Sequence, residues 1–311
     1  MSHVRNTTLD VLKGIAALFV IWIHEQFPGI TGQLINRIGA FAVPVFFMVS
    51  GFFAWSASRE KVARSIRHIL TLIAITYGLN LLRVLLFRGA AAAVEALAGA
   101  FAPKTLLLWI VLNITPISGV AWFLFALLYC YILHWMFHRW MKDRRIFLLI
   151  PVCMAVGLAV KLLLPSVGTN NAWFCGIPCY LLGRLFREER ERLARIPASR
   201  FFLGGLTGLV LLSVSVFTAE LIAYPGAFLL ASSLFCLCVR FPGVRGGLLE
   251  RIGSTYAFFV YVGHALMIHI FNAILPVGDS ILLAWVRPVL LAAATIGCAA
   301  LWYDVIRRKK V

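Results

Sequence analysis

Three polar residues on the first apolar segment of the sequence could carry out acid–base chemistry. Asp10 and Lys13 are three residues apart, and His24 follows Lys13 by eleven residues. An α-helix places all three on one face, since eleven residues make almost three turns, and His24 then lies about 16 Å beyond Lys13. A histidine with a pKa near neutrality can take a proton from a weak nucleophile. Asp10 and Lys13 also have the spacing of a structural ion pair at a helix end.

His24 has a structural interpretation as well, as an interfacial or hydrogen-bonded histidine. Glu25 follows it directly, but neighbours on a helix point about 100° apart, so Glu25 is a poor direct orienter of His24. Glu220 and Asp279 remain as candidate carboxylate partners, and the sequence does not choose between them.

A second group of polar residues lies late in the chain, in the segment YVGHALMIH. Tyr261 precedes His264 by one helical turn, and His269 follows nearer the end of the segment. His264 and His269 differ by about 140° around a helix, and none of the seven cysteines has the spacing of a metal site. We therefore predict no metal site, and structural histidines are the alternative to a functional role.

A compact basic cluster follows the second apolar segment, at Arg59, Lys61, Arg64 and Arg67. Guanidinium groups bind phosphates through paired hydrogen bonds, so the cluster suits a nucleotide-containing ligand. Cationic loops are also ordinary on the cytoplasmic side of membrane proteins. Ser50, within VPVFFMVSGFF, and Trp122 belong to aromatic segments whose composition is typical of packing.

The elements that position these residues are membrane helices, because the composition excludes a water-soluble protein. Of the 311 residues, 62% are hydrophobic and 13% are charged, and the mean hydropathy is +0.93. The net charge of +17 could indicate nucleic-acid binding, but the charges lie between apolar runs rather than on one soluble face. We therefore expect no nucleic-acid partner.

Apolar runs between charged breaks predict an all-α polytopic membrane protein with about ten transmembrane helices in a single domain, residues 1–311. The predicted spans are 9–24, 38–57, 69–87, 119–137, 146–165, 173–186, 201–218, 221–239, 252–272 and 285–303. The long connection between residues 88 and 118 contains an apolar stretch, 106–112, that is too short to span and predicts a surface or re-entrant segment.

The basic residues predict which ends of these spans face the cytoplasm. Alternate loops and both termini contain twenty-two lysines and arginines, whereas the opposite loops contain only Arg37, Arg88 and Lys104. Cytoplasmic loops are enriched in such residues, so both termini are predicted to be cytoplasmic.

Five motifs occur in order along nearly the whole chain. They are LDVLKGIAALFVIWIH (9–24), VPVFFMVSGFF (43–53), the arginines Arg64 and Arg67, AWFLFALL (121–128) and STYAFFVYVGHALMIH (254–269). Together they resemble the acyltransferase 3 family of integral-membrane acyltransferases. The last motif, with CYLLGRLF (179–186), is most similar to the subgroup that O-acetylates bacterial surface glycans such as enterobacterial common antigen. Two features depart from the family pattern: Lys13 replaces the usual arginine, and two rather than three residues separate Arg64 from Arg67.

The resemblance implies a multi-pass enzyme of the bacterial inner membrane that moves an acetyl group from cytoplasmic acetyl-CoA to a sugar hydroxyl of a lipid-linked or cell-surface polysaccharide. Acetyl-CoA is then a substrate, membrane lipid surrounds the protein, and no bound cofactor is expected. His24 would be the general base, with Lys13 and Asp10 as further catalytic residues and Arg64 and Arg67 on the donor phosphates. The substrate cavity would include Glu25, Ser50, Trp122, Tyr261 and His264.

The sequence is compatible with several alternatives. The transfer could be direct or pass through an acyl-enzyme, and a succinyl donor would use similar motifs. A transporter or flippase for a lipid-linked glycan or small solute would also explain polar residues within spans. Against a transporter, the sequence has no visible inverted repeat. A membrane scaffold is weaker, because it leaves the intramembrane charges without a role.

Overall fold

The computed structural model describes residues 5–164, 167–218 and 220–308, and within these ranges the chain is helical with no β-strand. The fourteen α-helices of the described ranges are α1 Thr7–His24, α2 Gly29–Gly39, α3 Ala42–Ala54, α4 Arg59–Ala100, α5 Pro103–Leu112, α6 Trp122–Met136, α7 Leu149–Leu163, α8 Ile177–Glu188, α9 Arg190–Arg195, α10 Ala198–Val214, α11 Ala223–Arg240, α12 Leu248–Arg251, α13 Ala257–Ile274 and α14 Ile281–Arg308. Single π-helical turns, Ala172–Gly176 and Ile252–Tyr256, lead into α8 and α13.

The predicted all-helical class is confirmed, and eight helical segments of the described chain are long and apolar enough to cross a membrane. The predicted spans 173–186 and 201–218 correspond to α8, with 12 residues, and α10, with 17 residues. Both are shorter than the roughly 20 residues that a perpendicular helix needs. The number of ten transmembrane helices therefore stays a prediction. The cytoplasmic location of both termini is also still a prediction. Pro165, Lys309 and Lys310, on which parts of those predictions fell, lie outside the described residues.

The predicted boundaries of the second and third spans are wrong. The second, 38–57, begins at the end of α2 and continues as α3. The third, 69–87, is part of a much longer helix, because α4 already begins at Arg59, where the side chain of Ser58 caps it by accepting a hydrogen bond from the Lys61 N–H. The connection after residue 88 is also mostly helical. Gly89, with a φ of 86°, interrupts α4 before its last turns, and α5 follows.

Contacts between helices divide the chain into two compact units. The central unit comprises residues 47–188 and thus begins within α3 and ends with α8. The terminal unit comprises the described residues up to Phe46 and those from Glu189 onward.

In the terminal unit, α1 packs closely against α12 and the π-helical turn that follows it. A Cβ atom on Gly14 would lie 2.1 Å from the Leu249 carbonyl oxygen, and one on Gly253 would lie 1.8 Å from the Asp10 carbonyl oxygen. Only glycine fits at such distances, so these two residues let the backbones touch. A buried apolar cluster that includes Ile21 and Leu291 continues this packing to α14.

In the central unit, a similar close approach joins α3 to α8. A Cβ atom on Gly51 would lie 1.8 Å from the Tyr180 carbonyl oxygen, and one on Gly183 would lie 1.9 Å from the Met48 carbonyl oxygen. These contacts fix the C-terminal ends of α3 and α8 side by side within the unit, which brings Trp55 and Arg184 to the same end.

Candidate active site

The polar residues at the start of α1 form an ion-pair cluster. Asp10 is buried, and its Oδ1 lies 2.7 Å from the Nζ of Lys13, while its Oδ2 lies 2.7 Å from the guanidinium of Arg5. The side chain of Asn6 caps the helix beside them by accepting from the Leu9 N–H at 3.0 Å. The structure thus shows the ion pair that the spacing allows, and Lys13 shares the Asp10 carboxylate with Arg5.

His24 is the last residue of α1, and its ring stacks on that of His264 from α13. The ring centroids are 5.2 Å apart and the planes differ by 30°. Tyr261 is the third ring of this group, with its centroid 5.9 Å from that of His264. The sequence placed these three residues on two separate segments, and the fold of the terminal unit brings them together.

The tautomer of His264 follows from its hydrogen bonds. Its Nδ1 lies 2.7 Å from the carbonyl oxygen of Tyr261 and 3.3 Å from that of Val260. A carbonyl can only accept, so Nδ1 carries the proton, and in the neutral ring Nε2 keeps a free lone pair. This Nε2 atom is buried and has no hydrogen-bond partner among the described residues. An unsatisfied buried acceptor of this kind favours a hydroxyl or another polar hydrogen close by.

Glu25, the neighbour of His24, forms a buried ion pair with Arg287 of α14. Its Oε1 lies 3.1 Å from the Nε of Arg287, and the two side chains are 12% and 7% exposed. Arg287 also donates to the Oδ1 of Asn272. Burial raises the pKa of the Glu25 carboxyl above its usual value, and the charge of Arg287 opposes that rise. The carboxylate is therefore engaged by arginine rather than by His24.

The other candidate carboxylates do not meet His24 either. Glu220 forms an ion pair with Arg37, with 2.6 Å between Oε1 and Nη2, and Asp279 is exposed in the loop before α14. A second histidine, not a carboxylate, is thus the neighbour that the fold gives His24. Arg287 could have been singled out from the sequence as a lone arginine inside an apolar run. Nothing in the sequence indicates that Glu25 is its partner.

The remaining predicted site residues belong to the central unit. Arg64 and Arg67 are exposed on the first turns of α4, and Arg64 lines a cavity of about 330 Å³ with Lys61, Ser65, His68, Ile69 and Tyr131. Ser50 is half-buried in α3. Trp122 begins α6 and borders a different cavity, of about 340 Å³, with its ring centroid 6.3 Å from that of Phe47.

The terminal unit therefore provides two adjacent imidazoles, a tyrosine and a buried ion pair, while the central unit provides exposed cations. In the part of the chain that the structure describes, no group of three or more His, Cys, Asp or Glu side chains is placed to hold a metal ion. An uncharged imidazole at a helix end can take a proton from a hydroxyl and return it to a leaving group.

Comparison with known proteins supports acyl transfer as the chemistry. Residues 6–303 match a protein family that is described as an acyltransferase domain, and the match runs through both units. No curated protein and no solved structure matches the chain. Because the match covers nearly the whole sequence, the chain belongs to the acyltransferase 3 family and is a membrane acyltransferase.

Proposed function

We propose that the protein is an O-acetyltransferase of the bacterial inner membrane that moves an acetyl group from acetyl-CoA to a sugar hydroxyl of a lipid-linked or cell-surface polysaccharide. The observation that carries this proposal is the pair of stacked imidazoles, His24 and His264, within a chain of an acyltransferase family. The similarity of CYLLGRLF and the last histidine motif to glycan O-acetylating enzymes supports the acceptor class.

In the proposed reaction, His24 acts as the general base. The sugar oxygen attacks the thioester carbonyl while its proton passes to the imidazole, and the carbon–sulfur bond then breaks. The CoA sulfur leaves with the proton that His24 returns, so that the products are the O-acetyl sugar and free CoA. Positioned acid–base groups of this kind accelerate transfer by about 10²–10⁴-fold.

His264 is proposed as a positioning residue for this base. Its own tautomer is fixed by the carbonyls of Tyr261 and Val260. Two protonated rings with centroids 5.2 Å apart would repel each other by about 3 kcal/mol at an effective dielectric constant of about 20. This repulsion disfavours protonation of both rings at once, so one imidazole of the pair stays neutral and can act as a base.

Asp10 and Lys13 are proposed to position α1 rather than to contact the reacting atoms. The Asp10 carboxylate lies 2.7 Å from Lys13 and is shared with Arg5, and Lys13 is about 16 Å from His24 along the helix. Arg64 and Arg67 are proposed to bind the diphosphate of the donor, since both guanidinium groups are exposed at the start of α4.

The experiment measures free CoA released from acetyl-CoA by the purified full-length protein, with a crude lipid-linked glycan extract as acceptor. His24→Ala should lower glycan-dependent release by at least about 100-fold while the protein still inserts and folds. His269→Ala is the matched control, because His269 is an exposed histidine of α13, the helix that carries His264. Full activity in His24→Ala would refute the role of His24. No release by folded wild-type protein, with several acyl-CoAs and acceptor extracts, would refute the function.

A further inference from the structure

Another cavity of the central unit has a lining that includes Arg59 at the start of α4 but neither Arg64 nor Arg67. Its volume is about 740 Å³, within the range of about 300–1,000 Å³ that is usual for small-molecule sites. It is formed by the end of α3, the start of α4, the segment after α6 and the end of α8. The loops at these helix ends are rich in arginine and lysine. The charge pattern therefore predicts that the cavity is on the cytoplasmic side. The residues that line it are Trp55, Ser56, Ala57, Ser58, Arg59, Glu60, His134, His138, Met141, Lys142, Arg184 and Glu188.

A buried arginine forms the inner wall of this cavity. Arg184 is only 2% exposed. Its Nη1 donates to the Ala54 carbonyl at 2.9 Å and its Nη2 to the Met141 carbonyl at 2.7 Å, whereas its Nε has no hydrogen-bond partner among the described residues. Carbonyl acceptors hold the guanidinium in place, and the Glu188 carboxylate of the same lining interacts favourably with its charge. Because Glu188 is shared with Arg144, this single carboxylate faces two guanidinium groups, and the cations of the lining outnumber its carboxylates.

Further cations surround the opening of the cavity. Arg59 lies over the Trp135 ring, 4.2 Å from its centroid, which fixes the guanidinium at the start of α4. The pKa of His138 is lowered by burial and by the charges of Lys142, Arg184 and Arg59, and the charge of Glu60 opposes this shift. Three positive groups, Arg59, Lys142 and Arg184, thus lie close enough to this end of the cavity to act on one side chain.

The cavity lining also contains two acidic residues, Glu60 and Glu188. Glu188 is held by the Arg144 guanidinium at 3.3 Å and by the Trp55 indole N–H at 3.5 Å, so part of its charge is balanced. Glu60 is exposed beside Arg59 on the first turn of α4. The site therefore combines cations with carboxylates that can accept hydrogen bonds from N–H or O–H groups.

An aromatic surface completes the lining. The indole of Trp55 is 41% exposed, although its N–H is engaged with Glu188. A planar base can stack on such a ring regardless of which base it is. Cations for a phosphate, carboxylates for an amino group and an indole for a ring together match a phosphorylated nucleoside.

We propose that this cavity binds the 3′-phosphorylated adenosine of the acyl-CoA donor. The proposal rests on the proposed function, which makes acyl-CoA the donor. CoA carries two separate anionic groups, a phosphate on the ribose 3′ oxygen and the diphosphate that leads to the pantetheine arm. Arg59 and Lys142 bind the 3′-phosphate, Trp55 stacks on adenine, and Arg64 and Arg67 are left for the diphosphate.

The test compares two ligands that differ only in this phosphate, CoA and 3′-dephospho-CoA. Calorimetric titration of the purified full-length protein should give an affinity for CoA at least about tenfold higher than for 3′-dephospho-CoA. Lys142→Ala and Arg59→Ala should each remove most of that preference by weakening CoA alone. Arg145→Ala is the control, since Arg145 is an exposed cation of the same connection that does not line the cavity. It should leave both affinities unchanged.

Other results of the titration would contradict the proposal. Equal wild-type affinities for the two ligands would overturn the cavity assignment while leaving acyl-CoA as the donor. The assignment is also overturned when Lys142→Ala and Arg59→Ala bind CoA as the wild type does, or weaken both ligands equally. Failure of folded wild-type protein to bind either ligand would refute the donor and thus the proposed function as well. Both substituted side chains are exposed, and thermal unfolding of each variant establishes that it is folded.

Discussion

The ion pair between Glu25 and Arg287 gives a quantitative test of how the terminal unit holds the end of α1. The perturbation is Arg287→Met, which keeps the aliphatic length of the side chain but removes its charge. The variant leaves the Glu25 carboxylate, whose side chain is only 12% exposed, without its cation. It also removes the donor that bonds to the Oδ1 of Asn272.

The magnitude follows from the geometry of the pair. With Nε and Oε1 3.1 Å apart, the direct attraction is about 5 kcal/mol at an effective dielectric constant of about 20. Removal of one partner of a buried pair costs about 3–5 kcal/mol, because the remaining charge is buried alone. We therefore expect Arg287→Met to lower the free energy of unfolding by about 3–5 kcal/mol. The double variant Glu25→Gln/Arg287→Met should recover at least about half of this loss, since no buried charge remains.

The assay is chemical unfolding in mixed micelles, followed by tryptophan fluorescence. The matched control is Arg37→Met, because Arg37 pairs with Glu220 at 2.6 Å but the side chains are 32% and 54% exposed. An exposed pair contributes about 1 kcal/mol or less. If Arg287→Met costs no more than Arg37→Met, or if the double variant is as unstable as the single one, the reasoning about the buried pair is refuted.

Three further predictions concern the same unit. Gly14→Ala should destabilise the protein by more than about 2 kcal/mol, since its Cβ would lie 2.1 Å from the Leu249 carbonyl oxygen. Gly297→Ala is the control and should not destabilise it, because the space around Gly297 is open. Equal unfolding midpoints of the two variants would contradict the close packing. The Glu25 pKa is raised in the folded state, so the folded protein binds this proton more tightly, and stability should fall as pH rises above about 4.5; Glu25→Gln should remove that slope, and an unchanged slope would count against it. His264→Ala should lower kcat about tenfold or more with little change in KM, and a loss confined to KM would show that His264 only binds substrate.

Helix α1 shows most clearly what the sequence alone can predict. The spacing of Asp10, Lys13 and His24 follows from helix periodicity alone, and the helix and the Asp10–Lys13 pair are present as that spacing allows. Hydropathy likewise determines the all-helical membrane class, because it depends on composition over windows rather than on any contact. Helix ends were less predictable. Hydropathy predicts that the third span begins at residue 69, whereas capping by Ser58 starts α4 at Arg59.

The neighbours of each polar residue were decided only by the tertiary structure. His24 and His264 are 240 positions apart in the sequence, and nothing in either motif states that their rings stack. The pairing of Glu25 with Arg287, rather than with His24, depends in the same way on how α14 packs against α1 and α13. The cavity beside Arg184 is lined by residues from α4, α6 and α8 and from the segments after α3 and α6, which meet only in the folded unit. The physical reason is that hydropathy and periodicity are properties of one segment, whereas charge pairing and cavities are set by which helix faces meet.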